Sequence, residues 1–328
     1  MNKIHRRSDA IDIMKGIGII FVILGHTIYG ALYEWIYTFH MPLFFIVAGL
    51  FLNPNKEIFV KRVKSLIVPY FIFAIITYLY WRFFELQFRP IDDDLNINTH
   101  FLDIFWQTTE FKFNVALWFL PCLFFTTILA NLIFLYVKKS LIIKTICILW
   151  IVAVSLYIPN TQSIWIKEVW CAFPFLTIGF LCNQHFHTLE TKLNEKPIYL
   201  KTLALLPLIG IFFIPHGGHM HASIYPNGYS YFLLCAVICV AAIFILSTTL
   251  TSQKWLSWLG RNTLVIMCLH EPIKRIVIKI FSMIMYQDTN MVRNSILMSI
   301  LITAIIIITI VPICKMVNKR LPWMLGKF

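Results

Sequence analysis

Charge is scarce in this chain. Only 13% of its residues are Asp, Glu, Lys or Arg, against 59% hydrophobic ones, and a domain dissolved in water cannot cover its surface with so few charges. No polar stretch is long enough for a second, soluble domain, and no internal repeat or low-complexity segment interrupts the apolar runs. No cleavable leader is expected either. The apolar run after the basic MNKIHRR has no small-residue cleavage site and carries Asp12, Lys15 and His26, so it is expected to be retained as a membrane span. Acidic residues are scarcer still, 15 against 28 basic ones, for a formal net charge of +13. An excess of that size suits nucleic acid when it is clustered on a soluble domain. Here it is dealt out between hydrophobic runs, so no nucleic-acid partner is expected. The eight cysteines lie within or at the ends of apolar runs. Cys235 and Cys239 share a helix face but lack the further ligands a metal site needs. They are expected as small buried hydrophobes, with no disulfide framework.

What the chain has in abundance is membrane-length apolar sequence. Runs at 11–31, 36–53, 65–84, 114–137, 141–158, 168–184, 198–214, 229–249, 262–282 and 294–316 are long enough to approach the thickness of a bilayer core, about 30 Å. The predicted fold is all-α: a polytopic membrane protein of about ten transmembrane helices forming a single membrane domain over 1–328. Starting with the N-terminus inside puts nineteen of the 28 Lys and Arg on the cytoplasmic side. The positive-inside rule therefore predicts an N-in, C-in topology.

Ionisable groups within such spans are costly and mark function by default. Lys15 and His26 lie eleven positions apart in the first run, almost three helical turns and roughly 16 Å along one face. A histidine titrating near neutrality suits general-base work on a hydroxyl. His40 is expected at a similar depth on the antiparallel second span. Lys15 can pair with Asp12, three residues earlier, or serve as the cation for a phosphate-bearing ligand. Lys61, Arg62 and Lys64 in the second cytoplasmic turn are further cations for such a ligand. So is Arg261, beside Asn262 at the start of the ninth span, where free backbone N–H groups favour anions. The ninth span also holds His270, Glu271, Pro272, Lys274 and Arg275. Its proline frees a backbone carbonyl, which is tolerated in a membrane only against protein or a water-filled cavity.

Two outer loops are substantial. One, 85–113, carries Asp92, Asp93, Asp94, Asp103 and Glu110, of which the run at 92–94 reads as solvated. The other, 215–229, is PHGGHMHASIYPNGY. Its His216, His219 and His221 have no carboxylate or cysteine beside them on a fixed element, so no metal is expected. The aromatics Trp118, Phe119, Phe124 and Phe125 read as helix packing and interfacial belt rather than a sugar platform.

Five segments taken in order, IDIMKGIGIIFVILGH, FHMPLFFIVAGLFL, KRVKSLIVPYF, LWFLPCLF and LGRNTLVIMCLHEP, resemble the acyltransferase-3 family of membrane O-acyltransferases. The similarity is greatest to the group labelled fucose 4-O-acetylase-like. The first two segments are the specific ones, and in the family a basic residue preceding a histidine in the first span, as Lys15 precedes His26, marks the active centre. The resemblance implies transfer of an acyl group, usually acetyl from acetyl-CoA, to a hydroxyl of a cell-surface glycan. It implies His26 as the base and Lys15 as a contact to the donor; Arg62 and Lys64 correspond only loosely to a basic stretch before a proline. Some relatives carry a fused periplasmic esterase-like domain, and none is expected here.

These readings converge on an O-acetyltransferase of a bacterial inner membrane, with acetyl-CoA as donor and a polysaccharide or its lipid-linked precursor as acceptor. His26 either deprotonates the hydroxyl or first receives the acetyl group. His40, His270 and Glu271 are further catalytic candidates, and Lys15, Asp12, Arg62, Lys64 and Arg261 are candidates for the donor. The competing expectation is a secondary transporter or glycan flippase, in which His270, Glu271 and Lys274 line a pathway.

Overall fold

A computed structural model of the chain describes residues 8–88, 97–106, 112–137, 139–158, 164–286 and 288–327. Asp92, Asp93, Asp94 and Glu110 lie outside the described residues, as do the basic residues at 3, 6 and 7. Among the described residues every regular element is helical, apart from an isolated bridge between His219 and Ile224. The helices are α1 (Asp9–Thr27), α2 (Ala31–Leu50), α3 (Ile58–Phe88), α4 (Ile97–Trp106), α5 (Val115–Tyr136), α6 (Ser140–Leu156) and α7 (Ile164–Asn194). They continue with α8 (Ile198–Phe212), α9 (Tyr229–Ser247), α10 (Lys254–Arg261), α11 (Thr263–Met285), α12 (Thr289–Asn294) and α13 (Ile296–Arg320).

Each of the ten apolar runs is occupied by a helix. Six helices, α1, α2, α3, α5, α9 and α13, are long and apolar enough to cross a membrane. Of the other four, α6 and α8 are shorter, and α11 carries Glu271, Lys274, Arg275 and Lys279 in its middle. The remaining one, α7, is polar at both ends. Leu141, Leu149, Leu156, Leu206, Phe213, Leu297 and Ile308 are exposed on the outer faces of their helices. So much exposed aliphatic surface is stable in lipid rather than water.

Boundaries differ from the sequence expectation where local geometry intervenes. The first helix stops at Thr27 and the second begins at Ala31, because Gly30 adopts φ +84° and reverses the chain within three residues. The third helix runs from 58 to 88 rather than 65 to 84 and contains two π-helical turns, Val63–Ile67 and Trp81–Glu85. Three short helices, α4, α10 and α12, lie in segments expected to be connections.

Two glycine crossings bring the central helices together. A methyl group on Gly16 of α1 would stand 2.2 Å from the Leu256 carbonyl oxygen, and one on Gly260 of α10 would stand 1.7 Å from that of Asp12. The same arrangement joins α2 to α7: a methyl on Gly49 would meet the Leu176 oxygen at 2.0 Å, and one on Gly179 the Ile46 oxygen at 2.0 Å. Without water to drive association, helices in lipid gain from backbone proximity of this kind. A third contact, between α1 and α13, is polar. Thr27 and Thr303 share a hydroxyl–hydroxyl hydrogen bond of 3.1 Å, and Ser299 donates to the Thr27 carbonyl at 3.1 Å.

Two of the prolines inside helices leave carbonyls that side chains from elsewhere in the fold satisfy. Pro272 has no N–H to offer Cys268, and the buried Asn114 side chain, just before α5, donates to that carbonyl at 2.8 Å. Pro174 does the same to Trp170, whose carbonyl accepts from the Trp150 indole at 2.9 Å.

Gly49→Leu and Gly260→Leu are expected to fail to give a folded protein extractable in mild detergent, whereas Ile75→Leu, at an exposed position of α3, behaves as wild type. Trp150→Phe keeps the ring and removes the donor; thermal unfolding in detergent is expected to show a loss of about 1–3 kcal/mol, the cost of one buried unsatisfied carbonyl.

Candidate active site

The polar residues of α1 and α11 meet. His26 lies in the last turn of α1, and His270 and Glu271 lie in the middle of α11. His26 Nδ1 is 3.7 Å from Glu271 Oε2, and the His26 and His270 ring centroids are 5.2 Å apart. Glu271 and His270 are fully buried, while the His26 side chain keeps 15% of its surface exposed. Within the trio, His26 is the side chain a substrate can touch.

Glu271 is held as a carboxylate by its own helix. Its Oε1 accepts from Lys274 Nζ at 2.7 Å and from Arg275 Nε at 3.1 Å, one helical turn further on. Arg275 is fixed in turn, donating from Nη1 to both oxygens of Glu85 at 3.0 and 3.3 Å. Glu85 closes the second π-helical turn of α3, an irregularity that recurs at functional sites because it re-aims side chains. Two carboxylates and two cations thus form a largely buried network. Glu271 Oε2 makes no hydrogen bond and faces His26.

His270 contributes in a fixed tautomer. Its Nδ1–H donates to the Met267 and Ile266 carbonyls at 2.8 and 3.1 Å, which leaves Nε2 as a buried acceptor without a hydrogen-bond partner. Donor atoms of His26, His270 and Glu271 all lie within 4.8 Å of one another, a spacing that a metal ion can use. The electrostatics oppose that use: Glu271 already carries two cations on one oxygen, and a dication would be repelled by both.

His40 joins through an aromatic neighbour. Its Nδ1–H donates to the Ile36 carbonyl at 2.9 Å. Its ring lies 4.6 Å from that of Tyr37, which is 6.2 Å from the His26 ring. Tyr37 also approaches Tyr33 at 4.1 Å and His219 at 5.0 Å between centroids. His219 in turn lies 3.2 Å from Glu34 through Nε2, with its Nδ1 3.4 Å from the Tyr33 hydroxyl.

The candidate donor residues are more dispersed. Lys15 forms an ion pair with Asp12 at 2.9 Å and is partly exposed. Arg261 follows Gly260, whose backbone abuts that of Asp12, so the α1–α10 crossing brings it beside this end of α1; its Nη1 donates to Ser257 at 2.9 Å. Arg62 and Lys64 belong to a separate neighbourhood on α3. The Lys64 carbonyl lies against Gly326, and this stretch packs on α5 and the C-terminal turn. A polar cavity of about 590 Å³ opens at the start of α1 among Ser8, Asp9, His187, Glu190, Lys201 and Thr248, residues that sequence reasoning left out.

The loop histidines diverge. His216 donates to the Ile214 carbonyl at 2.7 Å, His219 meets Glu34, and His221 is hydrogen-bonded to the buried Glu168 and stacked on Trp118 with centroids 5.1 Å apart. Two of them therefore do have carboxylate partners, each from a different helix and neither visible as a local pattern. Sequence reasoning also missed Tyr37, Asn114, and Arg293 of α12, which donates to the His26 carbonyl at 3.2 Å and lies over the Tyr29 ring. Of these, Asn114 had a signal: the carbonyl freed by Pro272 required a donor.

Residues 8–316 match the family model for the acyltransferase domain Acyl_transf_3. No curated protein and no solved structure matches the chain. The matched region contains every side chain of the His26 cluster, in an all-helical chain with at least six membrane-length apolar helices. The chain belongs to the acyltransferase-3 family, and is a multi-pass membrane acyltransferase.

Proposed function

We propose that the protein is an O-acetyltransferase of a bacterial inner membrane, related to the fucose 4-O-acetylase-like group. It transfers acetyl from cytoplasmic acetyl-CoA to a hydroxyl of a surface polysaccharide or its lipid-linked precursor. Ten spans with both termini in the cytoplasm put the Lys15 end of α1 on the donor side and His26 on the acceptor side. The observation that carries the proposal is the His26–Glu271 contact. A partly exposed imidazole faces a buried carboxylate whose charge is maintained by Lys274 and Arg275.

The chemistry follows from that contact. With Nδ1–H directed at Glu271, the lone pair of His26 Nε2 is free to take the proton of the acceptor hydroxyl as its oxygen attacks the thioester carbonyl. The imidazolium that forms sits against the carboxylate, an electrostatic gain made only as the proton moves. The C–S bond then breaks, the ester forms, and the proton returns from His26 to the thiolate to give free CoA. In the two-step alternative, His26 itself attacks the thioester and the hydroxyl then attacks acetyl-histidine, with the same balance. Roughly 16 Å separates Lys15 from His26 along α1, a distance suited to a donor with phosphates at one end and a thioester at the other. Lys15 contacts those phosphates, Asp12 orients it, and Arg261 adds a second cation beside the same end of the helix. The transport alternative drew on His270, Glu271 and Lys274 as a pathway; the family membership and the clamping of Glu271 by its own helix favour an enzyme.

His26→Ala is expected to abolish acetyl transfer to glycan while the protein inserts and purifies normally; transfer at the wild-type rate would sink the assignment. Glu271→Gln is expected to lower kcat by about 10²–10⁴, the range for loss of an orienting carboxylate or a general base, with little change in the KM for acetyl-CoA. Lys15→Ala is expected to act in the opposite sense, raising the acetyl-CoA KM several-fold with kcat largely kept. Both are read from CoA release by purified protein supplied with candidate glycans.

A further inference from the structure

We propose that Tyr33, Tyr37, His219 and Glu34 form the acceptor subsite, a wall that receives a neutral pyranose ring and presents one of its hydroxyls to His26. The proposal rests on the acetyltransferase reading and adds to it the place and chemistry of the acceptor.

The wall is continuous with the catalytic histidine. Ring centroids run from His26 to Tyr37 at 6.2 Å, from Tyr37 to Tyr33 at 4.1 Å and from Tyr37 to His219 at 5.0 Å. All four rings are partly exposed rather than sealed in the core. Aromatic faces bind the C–H faces of sugars, and a few fixed polar groups among them set orientation. Here those groups are His219 and Glu34. One tautomer satisfies the whole set: the Tyr33 hydroxyl donates to His219 Nδ1 across 3.4 Å, and His219 Nε2–H donates to Glu34 across 3.2 Å. The Glu34 side chain keeps 42% of its surface exposed, so its carboxylate can accept from ligand hydroxyls. A carboxylate at that position also repels an anionic sugar, which is why the proposal specifies a neutral ring.

The loop that supplies His219 is held rigidly against α2. His219 and Ile224 exchange two backbone hydrogen bonds, at 2.9 and 3.2 Å. Gly217 takes φ +102° and donates its N–H to Thr38 at 3.1 Å. A methyl on Gly217 would come within 2.9 Å of the Glu34 carboxylate. A binding wall needs such fixing, because ordering a loose loop on each encounter would weaken binding. Structural packing alone does not call for a partly exposed carboxylate and imidazole paired beside two tyrosine rings that lead to His26.

Saturation-transfer NMR with methyl hexopyranosides, on the full chain in lipid nanodiscs, tests the wall without any turnover. Wild-type protein is expected to transfer saturation to the pyranose C–H protons. Tyr33→Ala and His219→Ala are expected to cut that signal at least fivefold, Tyr33→Phe to keep it, and Lys15→Ala to leave it unchanged. In kinetics with a glycan acceptor, Glu34→Gln and Tyr33→Ala are expected to raise the acceptor KM tenfold or more, with the acetyl-CoA KM within twofold of wild type. Equal NMR signals in all variants, or none from wild type, would overturn the proposal. So would a change confined to kcat or to the donor KM. Sugar binding at the wall without acetyl transfer by the wild type would instead count against the acetyltransferase reading and leave the subsite standing.

Discussion

Everything at the centre of this molecule depends on keeping one carboxylate charged where water does not reach. An isolated Glu271 in the bundle would take up a proton rather than bear the desolvation of its charge. Lys274 and Arg275, one turn along the same helix, remove that option by occupying Oε1. Both cations would be costly alone, and Glu85 offsets part of their cost by accepting two hydrogen bonds from Arg275. A buried ion pair of this kind adds little stability compared with apolar packing. What it supplies is a second oxygen, Oε2, directed at His26 with its charge intact.

That contact needs two helices held in register. His26 is at the end of α1 and Glu271 at the middle of α11, so the depth of α1 in the bundle decides whether they meet. The Gly16–Gly260 crossing fixes α1 against α10, whose last residue is separated from α11 by Asn262 alone. The Thr27–Thr303 and Ser299–Thr27 hydrogen bonds fix the other end, and Arg293 caps the carbonyl of His26 itself. Asn114 then compensates the break at Pro272, in the turn that bears His270 and Glu271. Proline loosens that turn, and Asn114 gives it a single arrangement.

That helices occupy the ten apolar runs, six of them long and apolar enough to cross a membrane, was legible in the sequence, as was the candidacy of His26. Apolar runs of membrane length form helices because a helix satisfies its own backbone within one segment in lipid, and Lys15, His26, His270 and Glu271 stand out because each is expensive there. The partnerships were not legible. Glu85 was read as the edge of a loop, since nothing in WRFFE announces the π-helical turn that carries it to Arg275 190 residues away. The carboxylates of His219 and His221 come from Glu34 and Glu168 on other helices, so a search for local ligand spacing found only histidines. Tyr37 is one aromatic among many in an apolar run. Its position between His26, His40 and His219 is a property of the fold, not of its neighbours in sequence.

The polar groups that do stand out obey a gradient of exposure that constrains the chemistry. Glu271 and His270 are sealed, His26 is slightly open, and Glu34 at the far end of the aromatic wall is nearly half exposed. Around the sealed end, Lys274 and Arg275 bind one oxygen of Glu271, and its other oxygen faces His26. In the proposed reaction a hydroxyl that delivers its proton to His26 leaves an imidazolium against that oxygen. A thioester attacked by His26 also passes through a single cationic imidazole against the same carboxylate. Both routes place one positive charge at one ring, and the Glu271 oxygen facing that ring is where the protein invests its buried charge.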